Sequence, residues 1–360
     1  MTGHTFPLIE ARGSAYEMGR QHGEQAAALI ARYLLLIERL TGKPRDDLCR
    51  NAREFLPRME ALSPAFVQEV RGLAEGATIS FDEALLCQVR MEAAHTWPES
   101  GAATPSEGCT AFALRGAATA DGSLLVGQNQ DLEPEFADIS ILLRVAPDDG
   151  RPRALLYTFA GQLGYFGMNA HGVCNYANSV YDFRWQPGLA HYPLKRRILE
   201  QRTVGEATDL FRQHAVCSAA NTMLGDGEGD MASVEVRPIE GIEVWRGEHP
   251  DAIVHTNHYL TEAFIPFESG SLPDSFARYR RMTELVREHW GRITVEHMQA
   301  FLADHQGESE GDSGAMRGAI CRHGLRGMHT TSGHIAEPQK GVVHIRRGHG
   351  CLGTWTTYTI

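Results

Sequence analysis

The sequence predicts an α+β fold in which two sheets of mainly antiparallel strands are sandwiched by helices. Three observations carry that expectation. The first hundred residues have helical periodicity, the chain from Cys109 onward breaks into short strands, and helical patterns return in two groups near 192–214 and 274–303. A chain of 360 residues is long enough for one large domain or two ordinary ones, with ample material for a core.

The elements follow in order. "GSAYEMGRQHGEQAAALIARYLLLIERL" opens with Ser14 and Glu17 at capping-box spacing, then carries an apolar stripe through Leu29, Ile30, Tyr33, Leu34, Ile37 and Leu40. Helices are expected over "DLCRNAREFLPRMEAL" and "PAFVQEVRGLAEGA", and Ser80 with Glu83 caps another over "FDEALLCQVRMEAA". "HTWPESGAATPSEG" is rich in turn formers and reads as an exposed loop. "CTAFALR" and "SLLVGQNQ" flank Asp121-Gly122, a hairpin signal. "ISILLRVA", "RALLYTFA", "HGVCNYANS", "ASVEVRP", "GIEVWRG" and "AIVHTNH" read as further strands, and the tail as two more around Pro338. A helical segment, 1–108, thus precedes a strand-rich one, 109–360. The stripes of the first are too apolar to stand alone, so it is expected to pack on the second.

Composition narrows the function. A formal charge of -11 argues against nucleic acid as the partner, because phosphate binding needs a basic face. No apolar run approaches a membrane span, and "MTGHTFPLIEARG" does not read as a secretory signal. Seven dispersed cysteines without a Cys-x-x-Cys pair suggest reduced thiols in the cytoplasm. A homo-oligomer is compatible with all of this.

One cysteine stands apart. Cys109 opens a strand directly after Gly108 and the proline-containing loop. With a two-residue hairpin turn it would lie opposite residue 134; with a wider loop pairing Leu114 and Leu124, opposite Asn129. Either register brings "NQDLEP" alongside, and which of Asn129 and Asp131 turns toward the thiol depends on the register. This suits a cysteine freed at a new N-terminus, whose α-amino group, with a pKa of roughly 8, serves as its own base. The same thiol could cut the Gly108–Cys109 peptide. Glycine leaves that carbonyl uncrowded, and the loop before it tolerates a break.

Several separated pieces then show a resemblance: "GSAYEMGRQHGEQ", "EGCTAFA", "DGSLLVGQNQD", "GYFGMNAHGVCNYANS", "VHTNHY", "SFARYRRM", "ICRHG" and "TTSGHIAEPQKGVVHIRRG". In this order they resemble the acyl-coenzyme A:6-aminopenicillanic acid acyltransferase-like cysteine hydrolases, a branch of the N-terminal-nucleophile superfamily. The resemblance implies a four-layer αββα sandwich, cleaved by itself between Gly108 and Cys109 into α and β chains that stay together. It also implies Cys109 as nucleophile, Asp131 as the acidic residue of Gly-Gln-Asn-x-Asp, and Asn257 as the oxyanion-stabilising amide. Gln130 departs from the aromatic residue usual before that aspartate. Asn178 is a second amide candidate, Thr110 a further one, and Tyr165 and Phe166, in what reads as a tight loop, are candidate acyl contacts.

The expected activity is hydrolysis of an N-acyl amide through an acyl-enzyme on Cys109. The alternative is acyl transfer to an amine, with coenzyme A thioester as a conceivable donor and the basic run "RYRRM" as its phosphate contact. No cofactor is expected. A metal-dependent hydrolase or a non-catalytic relative are the remaining alternatives. His323, His329, His334, His344 and His349 crowd the tail, but no His-Glu-x-x-His or Cys-x-x-Cys accompanies them, so no metal is expected.

Overall fold

A computed structural model describes residues 5–94, 108–182, 184–268, 273–306, 308–310, 315–325 and 327–360. The loop expected over 95–107 lies outside the described residues.

In chain order the strands are β1 (Leu8–Gly13), β2 (Gly108–Leu114), β3 (Leu125–Leu132), β4 (Ser140–Pro147), β5 (Ala154–Phe159), β6 (Phe166–Asn169), β7 (Cys174–Ser179), β8 (Ala220–Gly225), β9 (Met231–Arg237), β10 (Gly241–Trp245), β11 (Ala252–His255), β12 (Glu308–Glu310), β13 (Ala315–Arg317), β14 (His323–Leu325), β15 (Met328–Glu337), β16 (Val342–Arg347) and β17 (Trp355–Thr359). The helices are α1 (Ala15–Thr41), α2 (Arg45–Ala52), α3 (Leu56–Leu62), α4 (Pro64–Ala77), α5 (Phe81–Leu86), α6 (Glu135–Ile139), α7 (His191–Ile198), α8 (Val204–Gln213), α9 (Pro273–Glu288) and α10 (Val295–Phe301). Among the described residues no helix is long and apolar enough to cross a membrane.

Eight strands form one sheet in the order β1-β4-β5-β6-β7-β8-β9-β10, and seven form the other, β11-β2-β3-β15-β16-β17 with β14 beside β15. Apart from β1, which runs parallel to β4, neighbours are antiparallel. α1 and α4 cover the eight-stranded sheet through Ile30, Tyr33 and Phe159, and α7 and α8 cover it through Ile198, Ala207 and Val234. α9 and α10 cover the other sheet, with Met282, Phe301, Phe112 and Leu114 in one cluster. Between the sheets, Ala111, Ala113 and Val126 meet Met168 and Tyr176. The four layers are therefore α, β, β, α, as expected.

Both expected capping boxes form, Ser14 with Glu17 and Ser80 with Glu83. α1 and α4 are pressed together at glycines: a Cβ on Gly19 would sit 1.9 Å from the Glu69 carbonyl oxygen, and one on Gly76 2.0 Å from that of Arg20. Only a residue without a side chain allows that approach. The helix expected over 47–62 divides into α2, a 3-10 turn and α3, and the one expected over 81–94 ends at Leu86 and resumes as a 3-10 turn at Glu92–Ala94. The "GQLGYFGMN" stretch is not wholly loop, since β6 occupies Phe166–Asn169. β1, β8, β12, β13, β14 and β17 are strands that the pattern did not reveal.

Candidate active site

The site is built where β2 starts and β7 and β11 end. The β2–β3 register pairs Leu114 with Leu125, Cys109 with Gln130 and Gly108 with Asp131. It matches neither expected alternative, because a 3-10 turn at Gly116–Ala118 and an Asp121 turn lengthen the connection. The consequence is decisive for the faces. Cys109 shares the inter-sheet face with Ala111, Gln128 and Gln130, whereas Asp131, Asn129 and Thr110 lie on the face toward α9. Asp131 is therefore a neighbour of Gly108, across the strand plane from the thiol.

On the inter-sheet face the strands present amides and aromatic rings, and the Lys195 ammonium lies 4.7 Å from the centroid of the Tyr165 ring. Gln128 presents its Nε2 to Cys109 Sγ at 3.9 Å and accepts the Ala177 N–H at 2.9 Å, tying β3 to β7. Gln130 donates to the Tyr165 hydroxyl, and Tyr165 stacks on Phe166 with ring centroids 3.9 Å apart. Both aromatic candidates are thus buried between the sheets, within a cluster that includes Tyr157, Tyr176 and His334. Asn178 accepts from Asn221 at 3.0 Å, while its buried Nδ2 has no partner among the described residues.

Asn257 stands at the junction. Its Oδ1 accepts the Cys109 main-chain N–H at 3.0 Å and Arg278 Nη2 at 2.7 Å, and its Nδ2 donates to the Ser179 carbonyl at 2.8 Å. The end of β11 holds it there. Asn257 N–H donates to Ser275 Oγ at 2.8 Å, and Thr256 Oγ1 donates to the Ser275 carbonyl at 3.0 Å, fastening the strand end to α9. Glu235 fixes the chain beyond, accepting from Leu260 N at 2.6 Å and from Thr261 Oγ1 at 2.6 Å.

On the α9 face the groups are charged and buried. Arg278 donates to the Cys109 carbonyl at 2.6 Å and to Thr110 Oγ1 at 3.1 Å, and pairs with Asp274 at 3.2 Å. Asp274 also pairs with Arg322, whose Nε lies 3.4 Å from Asp131 Oδ2. Asp131 Oδ1 accepts from Thr330 at 2.7 Å. Burial pushes the Asp131 carboxyl upward, opposed by Arg322, Arg278 and the Thr330 hydroxyl. A Cβ on Gly108 would meet Arg322 Nη1 at 2.8 Å and Asp131 Oδ2 at 3.1 Å, so glycine is needed here for closeness of approach.

Cys109, Asp131 and Asn257 are thus brought together around one peptide. Thr110 lies on the face away from the thiol, and Asn129 is structural, donating to the Leu302 and Ile320 carbonyls at 2.7 and 3.1 Å. Sequence reasoning gave no role to Gln128, Asp274 and Arg322, and saw Arg278 only as part of a basic run offered to a phosphate. The two arginines lay in view, inside the resembling stretches "SFARYRRM" and "ICRHG". Two arginines of the basic run are engaged within the protein: Arg278 is buried on Cys109, and Arg281 pairs with Asp304 at 2.8 Å, while Arg280 is exposed.

Comparison with known proteins then decides the family. A profile of the family described as "Acyl-coenzyme A:6-aminopenicillanic acid acyl-transferase" matches residues 118–311, more than half of the sequence. The chain belongs to that family. Membership in the acyl-coenzyme A:6-aminopenicillanic acid acyl-transferase family makes it an enzyme of the acyltransferase class. It is 28% identical over 285 residues to the acyl-coenzyme A:6-aminopenicillanic-acid-acyltransferase 40 kDa form of Emericella nidulans, covering 77% of this chain and 76% of that one. It is 23% identical to an uncharacterized protein of Archaeoglobus fulgidus, covering 80% of this chain and 56% of the other. Among solved structures, a variant of conjugated bile acid hydrolase from Clostridium perfringens aligns with a TM-score of 0.47 at 13% identity, over 70% of this chain and 97% of its own. The N-acylethanolamine-hydrolyzing acid amidase ortholog of Caenorhabditis elegans aligns with a TM-score of 0.47 at 15% identity, over 70% and 100%.

Proposed function

We propose that this member of the family is a self-processing cysteine amidase that hydrolyses an N-acyl amide through an acyl-enzyme on Cys109. One observation carries the reading. The polar groups of the site converge on the main-chain atoms of Gly108 and Cys109: Asn257 on the nitrogen, Arg278 on the carbonyl of Cys109, and Arg322 with Asp131 beside Gly108. A nucleophile served by its own nitrogen needs polar groups held at that nitrogen and at the peptide before it, and these are the atoms they reach.

In processing, Cys109 Sγ attacks the Gly108 carbonyl carbon, the C–N bond breaks, and the departing nitrogen takes a proton. The resulting thioester is hydrolysed to a Gly108 carboxylate and a free thiol, leaving an α-amine on Cys109. In turnover that amine accepts the thiol proton, the thiolate attacks the substrate carbonyl, and the amine returns the proton to the leaving nitrogen. Water then releases the acyl group. Arg322 is the candidate to stabilise the oxyanion formed on Gly108. The unpartnered Asn178 Nδ2 and Asn257 are candidates for the oxyanion formed on the substrate. Acyl transfer to an amine would pass through the same acyl-enzyme. With Arg278 and Arg281 already paired, Arg280 is the arginine of the run left exposed toward a coenzyme A phosphate, which favours hydrolysis.

Intact-mass measurement on freshly purified protein tests the reading. Wild type is expected as two associated fragments, 1–108 and 109–360, the second beginning Cys-Thr, and Cys109→Ala as a single inactive chain. Full activity in a preparation whose 108–109 peptide is unbroken would overturn it.

A further inference from the structure

The tail holds a second cluster that the amidase chemistry does not use. His305 follows α10, Cys321 and His323 bracket Arg322, and Cys351 lies in the connection from β16 to β17. Their ligand atoms all fall within 4.8 Å of one another. The three close approaches meet on a single atom: His323 Nε2 lies 3.0 Å from His305 Nε2, 3.5 Å from Cys321 Sγ and 3.3 Å from Cys351 Sγ. One ring nitrogen has either one proton to donate or one lone pair to accept with. Hydrogen bonding therefore accounts for one of those approaches and leaves the other two unexplained.

A shared cation accounts for all of them. Zinc–nitrogen distances of about 2.0–2.1 Å and zinc–sulfur distances of about 2.3 Å, set tetrahedrally, give N···N edges of about 3.3 Å and N···S edges of about 3.6 Å. The observed edges fall close to these. We propose that His305, Cys321, His323 and Cys351 form a structural Zn2+ site. Two imidazoles and two thiolates suit that ion, and the two thiolates balance its charge after releasing their protons to solvent. All four positions are filled by protein, so no open position remains for catalysis.

The surroundings fit a site of this kind. Gly350 N–H donates to Cys321 Sγ at 3.1 Å, the contact a thiolate ligand accepts. Cys321 N–H donates to the Asp304 carbonyl at 2.9 Å, which brings the His305 segment alongside. His349 stacks on the His323 ring, with centroids 3.9 Å apart, and is 3.1 Å from His329. Arg322 sits between two of the ligands and reaches the other way, to Asp131 and Asp274. The ion would fix the main chain from which that arginine extends.

The test uses full-length protein without a polyhistidine tag. Elemental analysis is expected to find one zinc per chain, and cobalt added to the chelated protein is expected to give thiolate-to-metal charge transfer with tetrahedral d–d bands. Cys351→Ser and His323→Ala should each lower the stoichiometry to background and remove the charge-transfer band. Cys49→Ser, a thiol elsewhere in the fold, should leave both unchanged. Chelated wild type should melt at lower temperature, and zinc should restore it, even in the Cys109→Ala background where no turnover occurs. Background zinc with no cobalt spectrum would overturn the proposal, as would metal retained by both ligand variants, or a Cys321–Cys351 disulfide in freshly purified protein.

Discussion

Two faces of the same pair of strands carry opposite chemistry. Toward the other sheet, β2 and β3 present amides and aromatic neighbours around Cys109; toward α9 they present Asp131, beside Arg322, Asp274 and Arg278. The charged groups reach the Gly108–Cys109 peptide through main-chain atoms in the plane of the sheet. The inter-sheet face offers amides and aromatic rings, which suits an acyl chain whose burial is favourable by about 25 cal/mol per Å2 of apolar surface. In the proposed chemistry the charged face serves the peptide, and the amides and rings serve the acyl group.

Arg278 is where this division breaks most severely. It is 1% exposed and joins Cys109, Thr110, Asn257 and Asp274. Arg278→Met leaves Asp274 with one partner fewer, and removing one member of a buried ionic set costs about 3–5 kcal/mol. The expected outcome is a large loss of urea stability together with an uncut chain. Arg278→Lys, which keeps the charge without the forked geometry, should recover part of the stability and less of the processing. If Arg278→Met is as stable as wild type and fully cleaved, the charged face is dispensable and the division has no meaning for function.

Asn257 spans both faces, and its replacement sharpens the comparison. In the uncut chain its Oδ1 orients the Cys109 nitrogen while its Nδ2 rests on Ser179. Asn257→Ala is expected to fold normally, since Ser275 is held by the main chain at 257 and by its neighbours. Turnover should fall by about 100- to 1000-fold, the effect of losing one oxyanion donor. Processing should slow as well. Single-turnover assays on cleaved protein separate the two, and near-wild-type rates would remove Asn257 from the oxyanion hole.

The layers were legible because helical and strand periods change sharply at the site itself. α4 matches its expected residues from Pro64 to Ala77, since Ser63 caps one end and Thr78 turns left-handed at the other. β8 escaped notice because it buries polar residues, Asn221 and Thr222, and Asn221 is bonded to Asn178 and Ser233; hydropathy cannot register such a strand. Cys109, Asp131 and Asn257 were legible as residues, but the face of Asp131 was not, because one residue of hairpin register decides it. Of the Cys/His cluster, His323 was in view among the tail histidines, but its grouping with His305, Cys321 and Cys351 was not. The ligands come from three separate segments, so no local spacing announces them.

The smallest expected effect concerns how dry each face is. His334, on the inter-sheet face, and His258, beside Ser275 on the charged side, are both held down to about 3, chiefly by burial. A folded-state pKa below the usual value of about 6.5 means that the unfolded chain binds more protons as pH falls. Stability from such a group is therefore complete above pH 6.5 and is lost progressively down toward pH 3, at about 1.4 kcal/mol per pH unit. Urea unfolding at pH 7.5 and pH 5 should show this, and His334→Gln should reduce the acid-induced loss by about 2 kcal/mol. An unchanged loss in that variant would mean that water and protons reach the inter-sheet face freely, and the amides and rings around the thiol would then offer no shelter to an acyl chain.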